Sequence, residues 1–121
     1  MKPLLANNLD TFLKRFDNFR DSELRSMEVI SPTLIRVTLA GQDSARAHDW
    51  VSVELEFSGV QDAKLLENAK LSFVDMSDGV SIITFNNLFA FGIGKCYNIE
   101  GIKNSTCQVV SSGLKYQEGL F

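Results

Sequence analysis

The segment WVSVELEFSG, residues 50–59, constrains the fold more than any other part of the chain. Its apolar side chains stand at every second position, namely Val51, Val53, Leu55 and Phe57. The positions between them carry serine or glutamate. Successive side chains of a β-strand point to opposite faces, so this alternation predicts a strand with one buried face and one solvated face. The neighbouring strands and any helix must then pack against the buried face.

The composition is typical of one soluble globular domain spanning residues 1–121. Of the 121 residues, 45% are apolar and 22% are charged, which is enough for one core and far from the signature of disorder. The net charge of −3 and the dispersed lysines and arginines argue against a nucleic-acid partner and suit a basic protein partner better. The first residues lack the apolar run of a signal peptide, and no segment resembles a membrane span. We therefore expect a cytoplasmic protein with no membrane partner.

The cysteine and histidine content indicates neither a metal site nor a cofactor. Cys96 and Cys107 are the two cysteines, and His48 is the one histidine. Structural zinc sites need more such ligands, usually as CxxC pairs. In a reducing compartment we expect two free thiols, and a disulfide or redox pair is the alternative.

One amphipathic helix is predicted over residues 7–19. Its apolar residues follow the i, i+3, i+4, i+7 spacing that places side chains on one side of a helix: Leu9, Phe12, Leu13, Phe16 and Phe19. Asn7 or Asn8 is expected to cap the first free N–H groups. Three phenylalanines on a short helix need a broad apolar surface to cover, and the buried face of a sheet provides one.

Two further strands are predicted before residue 50. Residues 22–30 and 33–40 flank Ser31-Pro32-Thr33, which is typical of a turn, and the polar residues 41–49 form the loop of a second hairpin. If the buried faces are matched, Met27 and Val29 meet Ile35 and Val37, and these meet Val53 and Leu55. The same alternation places Glu28, Arg36 and Glu54 in one row on the solvated face.

The second half of the chain is predicted to continue as antiparallel strands. Short strands are expected at 60–66 and 69–73, followed by a hairpin turn at Met76–Gly79, because Asp-Gly tolerates positive φ. Val80–Phe85 and Leu88–Ile93 form the next pair, and the latter is apolar on both faces, which is typical of a covered strand. Gly92 and Gly94 indicate a bulge or bend rather than a dinucleotide loop. A last strand is predicted at 106–112, with a tail at 114–121.

The solvated face of the strand at 50–59 carries the candidate site residues. Glu54 and Glu56 share this face, and such a pair either performs acid–base chemistry or supplies solubilising charge and pairs with Arg36. His48 lies beside Asp49, but no nucleophile is tied to them by a motif. Trp50 shares the face with the glutamates, and exposed tryptophans are enriched in binding hot spots; coverage by the helix or the tail is the alternative.

Two pieces of the chain, VELEFSGVQDAKL and FAFGIGKCYNI, resemble paired segments of small bacterial proteins of unknown function. In those proteins a strand ending in F-x-G-V precedes an apolar strand that contains Cys or Lys-Cys. Some of them are immunity proteins of polymorphic toxin systems, which bind and neutralise a toxin. The resemblance covers residues 50–100 and implies a small domain with a protein partner, with no catalytic residue pattern.

The sequence thus predicts an α+β fold that is mainly β. An N-terminal helix packs on a curved antiparallel sheet of about seven or eight strands, in a roll or partly open barrel. The function expected is a small cytoplasmic protein-interaction module, of the immunity-protein type, without catalytic residues. Its binding residues are predicted to be Arg36, His48, Trp50, Glu54 and Glu56. The alternative is a ligand-binding or enzymatic β domain with a pocket between helix and sheet, and homodimerisation through an edge strand is compatible with either.

Overall fold

The computed structural model describes all 121 residues and shows an α+β fold that is mainly β. Its helices and strands, in chain order, are β1 (Lys2–Pro3), α1 (Leu9–Arg15), β2 (Glu23–Ser31), β3 (Leu34–Asp43), β4 (Asp49–Lys64), β5 (Val80–Phe85), β6 (Leu88–Ile93), α2 (Ile99–Lys103) and β7 (Gln108–Leu120). Short 3₁₀ turns occupy Ala6–Asn8, Ser44–Arg46 and Asn68–Phe73, and Asp17–Phe19 forms a turn with positive φ. No helix in the chain combines the length and the apolar character needed to cross a membrane.

All seven strands belong to one antiparallel sheet. Its order is β2-β3-β4-β7-β6-β5, and β1 pairs with β7 beyond the end of β6. The prediction of an N-terminal helix on an antiparallel sheet of about seven strands is confirmed. The terminal strands β2 and β5 do not pair with each other, so the sheet is open and is not closed into a barrel.

The register of the first three strands follows the predicted buried faces. Met27 pairs with Val37, which pairs with Leu55. Arg36 lies opposite Glu28 on one side and opposite Glu56 on the other, whereas the predicted row contained Glu54. The row is therefore shifted by two residues on β4. A shift of two keeps every side chain on its face, so face alternation alone does not distinguish the two registers.

Helix α1 packs on the buried face of the sheet, as predicted, but it is shorter than residues 7–19. All five residues of the apolar stripe are buried: Leu9, Phe12, Leu13, Phe16 and Phe19. The helix ends at Arg15 because Asp17, Asn18 and Phe19 adopt positive φ of 52°, 54° and 58°. Asn8 precedes the helix, yet its side chain makes no capping hydrogen bond, so that part of the prediction is wrong.

Strand β6 is covered on both faces, as its sequence predicts. Phe91 and its partner Val109 belong to the main core of 23 residues, and Phe91 lies 5.4 Å from Phe57 between ring centroids. The adjacent pair, Ala90 and Val110, forms a second small cluster with Ile102 of α2. Helix α2, which the sequence analysis did not predict, thus covers the opposite face of β6.

Gly92 lies where α2 packs closely against the sheet, and it forms no bulge. It pairs regularly with Ser81 on β5 and Gln108 on β7. A Cβ atom at this position would stand 3.0 Å from Cδ1 of Ile102. Gly94, directly after the strand, does supply the predicted bend, with φ of 86°.

Three strand predictions in the second half are wrong. The strand expected at 60–66 is the continuation of β4, which runs to Lys64 with a bulge between Val60 and Asp62. The strand expected at 69–73 is the 3₁₀ turn Asn68–Phe73, so Met76–Gly79 is a turn but joins no hairpin. The last strand begins at Gln108 and continues through the expected tail to Leu120, because this segment pairs with β4 from Val51 onward.

Candidate functional site

The predicted binding residues on β3 and β4 lie on the face of the sheet that points away from α1. We call this surface the open face; it is formed by β2, β3, β4 and β7. The residues of β4 at odd positions from Val51 to Phe57 are buried against the helix side, where the Phe12 ring lies 4.8 Å from that of Tyr116. The residues at even positions point the other way and are partly exposed, and no helix covers them.

The centre of the open face is a row of alternating charges across four strands. In register, Glu28 lies opposite Arg36, Arg36 opposite Glu56, and Glu56 opposite Lys115. Nη2 of Arg36 stands 3.5 Å from Oε2 of Glu56, and its Nε stands 4.0 Å from Oε2 of Glu54. Opposite charges on facing strands stabilise the pairing modestly, by about 0.2–1 kcal/mol a pair.

The two glutamates are therefore engaged by neighbours rather than arranged as an acid–base pair. Glu54 also accepts a hydrogen bond of 3.0 Å from Nε2 of Gln117. Both carboxylates face the guanidinium group of Arg36.

Trp50 lies at one end of the open face and contacts the last residue of the chain. Its side chain is 39% exposed, and its ring centroid stands 5.5 Å from that of Phe121. Arg25 of β2 also contacts this residue: its guanidinium carbon lies 4.4 Å from the centre of the Phe121 ring. Trp50 was expected to be either exposed for binding or covered by the helix or the tail. In the structure Phe121 covers part of its side chain, and the rest remains accessible.

A groove of about 350 Å³ runs beside Trp50. Its walls include Arg46 and Asp49 from the β3–β4 connection and Leu120 and Phe121 from the chain end. Leu120 is almost fully exposed. Three large apolar side chains thus meet solvent around one groove: Trp50, Leu120 and Phe121.

His48 is placed in the β3–β4 connection and makes only backbone hydrogen bonds. Its N–H donates to the carbonyl oxygen of Asp43 over 2.9 Å, and its carbonyl oxygen accepts from Gln42 over 3.3 Å. The residue adopts φ of 64°, and its side chain is exposed. Sequence proximity to Trp50 does not bring the imidazole into the row of charges.

The structure also separates His48 from both cysteines. Gln108, next to Cys107, pairs with Lys64 at the far end of the 16-residue strand β4 and with Gly92, against which Cys96 packs. Both cysteines are free thiols, as expected. Burial raises the pKa of each thiol above its ordinary value, which keeps the sulfur protonated and a weak nucleophile. A Cys-His site is therefore not assembled.

Beneath the β3–β4 connection lies an ion cluster that the sequence analysis did not find: Arg15, Asp43, Arg46 and Glu118. Arg15 binds the Asp43 carboxylate with two hydrogen bonds, of 2.8 and 2.6 Å, and Glu118 over 2.7 Å. The bonds from Arg15 lower the pKa of Asp43 and of Glu118 and raise the pKa of Arg15 itself. Arg46 reaches both carboxylates from the solvent side, at 3.6 and 3.2 Å.

Only one signal in the sequence pointed to this cluster. Asp43 falls on the same alternation as Ile35, Val37 and Leu39, so it is a carboxylate at a position that faces the buried side. Such a residue requires a cationic partner. The partner stands on the helix, 28 positions earlier, and no local pattern identifies it.

No group of three His, Cys, Asp or Glu side chains is arranged to hold a metal ion. Comparison of the chain with family models, with curated proteins and with solved structures gave no match.

Proposed function

We propose that this protein is a small protein-interaction module of the immunity type, which binds and neutralises a toxin. Its binding surface is the open face, centred on the end that carries Trp50. One observation supports the proposal above the others: Trp50 and Phe121 form a partly exposed aromatic pair on a face that no helix covers. The resemblance of residues 50–100 to immunity proteins adds the toxin as the partner class.

The residue types on this face match those that dominate protein–protein interfaces. Tryptophan and arginine are the residues most enriched in binding hot spots, where they lie at the centre of a contact surrounded by polar residues. Trp50 and Arg25 flank Phe121 here, and the ion-paired residues Arg36, Glu54 and Glu56 extend the surface along the sheet. The net charge of −3 favours association with a basic partner.

The proposal places the protein in the cytoplasm. Both cysteines are free, and free thiols are the usual state of cysteine in a reducing compartment. An immunity protein in the cytoplasm neutralises its toxin by binding it, so it needs a binding surface and no catalytic residues.

The test begins with Trp50→Ala. The proteins encoded beside its gene are tested for toxicity in cells, and the affinity of this protein for any toxic neighbour is measured by titration calorimetry. Loss of a hot-spot aromatic should cost about 2 kcal/mol, which is about a thirtyfold weaker complex. Growth protection of cells that make the toxin should fall with it.

Phe73→Ala is the matched control, because Phe73 is an aromatic residue that is 86% exposed but lies outside the open face. It should leave affinity and protection unchanged. Glu54→Lys, which reverses a charge on the open face, should weaken a basic partner's binding without unfolding the protein. Equal affinities for the wild type, Trp50→Ala and Glu54→Lys would contradict the proposal.

A further inference from the structure

Strand β5 has a free hydrogen-bonding edge. Asn86 and Asn87 both adopt positive φ, of 48° and 62°, which is the two-residue turn that makes Phe85 and Leu88 a hydrogen-bonded pair. Hydrogen bonding to β6 then alternates along the antiparallel pair. The N–H and C=O groups at the intervening positions point away from the sheet; these positions are Val80, Ile82 and Thr84.

No other group of the protein satisfies this edge. β5 pairs with β6 alone, and none of the hydrogen bonds from turns, loops or side chains reaches the backbone of Val80, Ile82 or Thr84. The edge contrasts with that of β2, at the other end of the sheet. There the N–H of Met27 donates to Oδ1 of Asn68 over 3.0 Å, and the 3₁₀ turn Asn68–Phe73 packs along the strand.

Beyond its start, where the turn Asp17–Phe19 packs against it, the β5 edge also lacks the features that keep exposed strands from pairing. Proteins usually protect such edges with proline, lysine, a bulge or a covering segment. The sequence VSIITF contains no proline and no charged residue, and its register with β6 is regular. An unprotected edge in a folded protein is a site at which another strand can be added.

Residues 80–83 of this edge line a groove of about 470 Å³, and Thr84 lines an adjoining depression. One wall is formed by the helix side, with Asp10 and Leu13. The other wall carries Lys95 and Tyr97, and Tyr97 is 86% exposed. Neither Asp10 nor Lys95 forms an ion pair within the protein.

We propose that the β5 edge binds an extended segment of a partner protein, which adds an eighth strand to the sheet. The free groups of Ile82 and Thr84 match the backbone of an added strand, which offers N–H and C=O groups at alternate positions. Asp10 and Lys95 flank the edge without an ion-pair partner, and β5 of a second copy, VSIITF, carries no charged residue that could meet them. The occupant is therefore a single extended segment.

The two walls define the side chains of that segment. Side chains of an added strand alternate between the walls. Those that face α1 meet Asp10 and Leu13, which favours a basic residue beside an apolar one. Those on the other side meet Lys95 and Tyr97, which favours an acidic residue beside an aromatic one. This site is separate from the open face, so it stands or falls independently of the proposed function.

The test uses decapeptides selected from a random phage-displayed library against the full protein. Thr84→Pro removes one outward N–H group but no bond to β6, and proline is tolerated at such edge positions. Thr84→Val keeps the N–H group and is the matched control. We expect the selected peptides to bind the wild type and Thr84→Val equally and Thr84→Pro about tenfold more weakly. In NMR spectra, the amide signals of Ile82 and Thr84 should shift on binding.

Tyr97→Glu provides a second variant that does not touch the strand. It should weaken the same peptides, and circular dichroism shows whether each variant is folded. Three results would overturn the proposal: no peptide is selected, the peptides bind Thr84→Pro as well as Thr84→Val, or the shifted amides belong to the open face. Self-association of the free protein that Thr84→Pro abolishes would also overturn it, because the occupant would then be a second copy.

Discussion

Asp43 shows how one residue can hold three parts of the chain together. Its carboxylate has no solvent exposure, and burial of an unpaired charge would cost several kcal/mol. Arg15 donates two hydrogen bonds to it, the N–H of Ala45 donates a third over 2.9 Å, and Arg46 approaches from outside. Because Arg15 also binds Glu118, the end of α1, the β3–β4 connection and the end of β7 are tied at one point.

Replacement of Asp43 by Asn should therefore destabilise the protein strongly. Asn preserves the size of the side chain and one acceptor for Ala45, but it leaves Arg15 with only Glu118 as a charged partner. Loss of one member of a buried pair costs about 3 kcal/mol. Arg46→Gln is the comparison: its side chain is 58% exposed, so the loss should be at most about 1 kcal/mol. Urea unfolding measures both, and equal losses would show that Asp43 has no special role.

At the scale of elements, the sequence predicts strands well where alternation is long and turns are marked. Val80–Phe85 and Leu88–Ile93 have the predicted bounds, because Gly79 and the pair Asn86-Asn87 delimit them. At residues 69–73 an alternation of only three positions predicted a strand, but the segment is part of a 3₁₀ turn in which Leu71 is buried and Phe73 is exposed. Helix α2 has five residues, fewer than two turns, and so shows no period.

The junction between the turn Asp17–Phe19 and β5 depends on Gly79. This residue has φ of 69°, and a Cβ atom there would collide with the backbone of Asn18 and Arg20. Gly79→Ala should lower the free energy of unfolding by about 3 kcal/mol, from backbone strain and steric overlap together.

Variants at two other glycines distinguish backbone strain from steric overlap. Gly94 has φ of 86° but nothing near its Cβ position, so Gly94→Ala should cost about 1 kcal/mol, from backbone strain alone. Gly119 has neither feature, so Gly119→Ala should be close to neutral. Thermal unfolding of the three variants should follow this order. A loss in Gly79→Ala no larger than in Gly94→Ala would mean that the turn moves aside.

At the scale of the whole molecule, face alternation predicted the open face, but contacts between distant segments escaped it. Arg36, Glu54 and Glu56 share a face, as the sequence indicated, because alternation is a local property of each strand. The contact of Trp50 with Phe121 requires β7 to pair with β4, a choice of strand order that periodicity does not contain. The ion cluster and the free edge of β5 depend on the same long-range order.

The ion cluster also determines how the stability of the molecule depends on pH. Arg15 lowers the pKa of Asp43 and of Glu118 in the folded state, so the unfolded chain takes up their protons first on acidification. The stabilisation is complete above their unfolded pKa values, about 3.9 and 4.3, and is lost as the pH falls through the lower folded values. Urea midpoints measured between about pH 3 and 7 should fall below about pH 5. Asp43→Asn starts less stable but should lose less on acidification, and Glu118→Gln should behave in the same direction. If the urea midpoints of the wild type and Asp43→Asn fell by the same amount on acidification, the pH dependence would arise elsewhere in the protein.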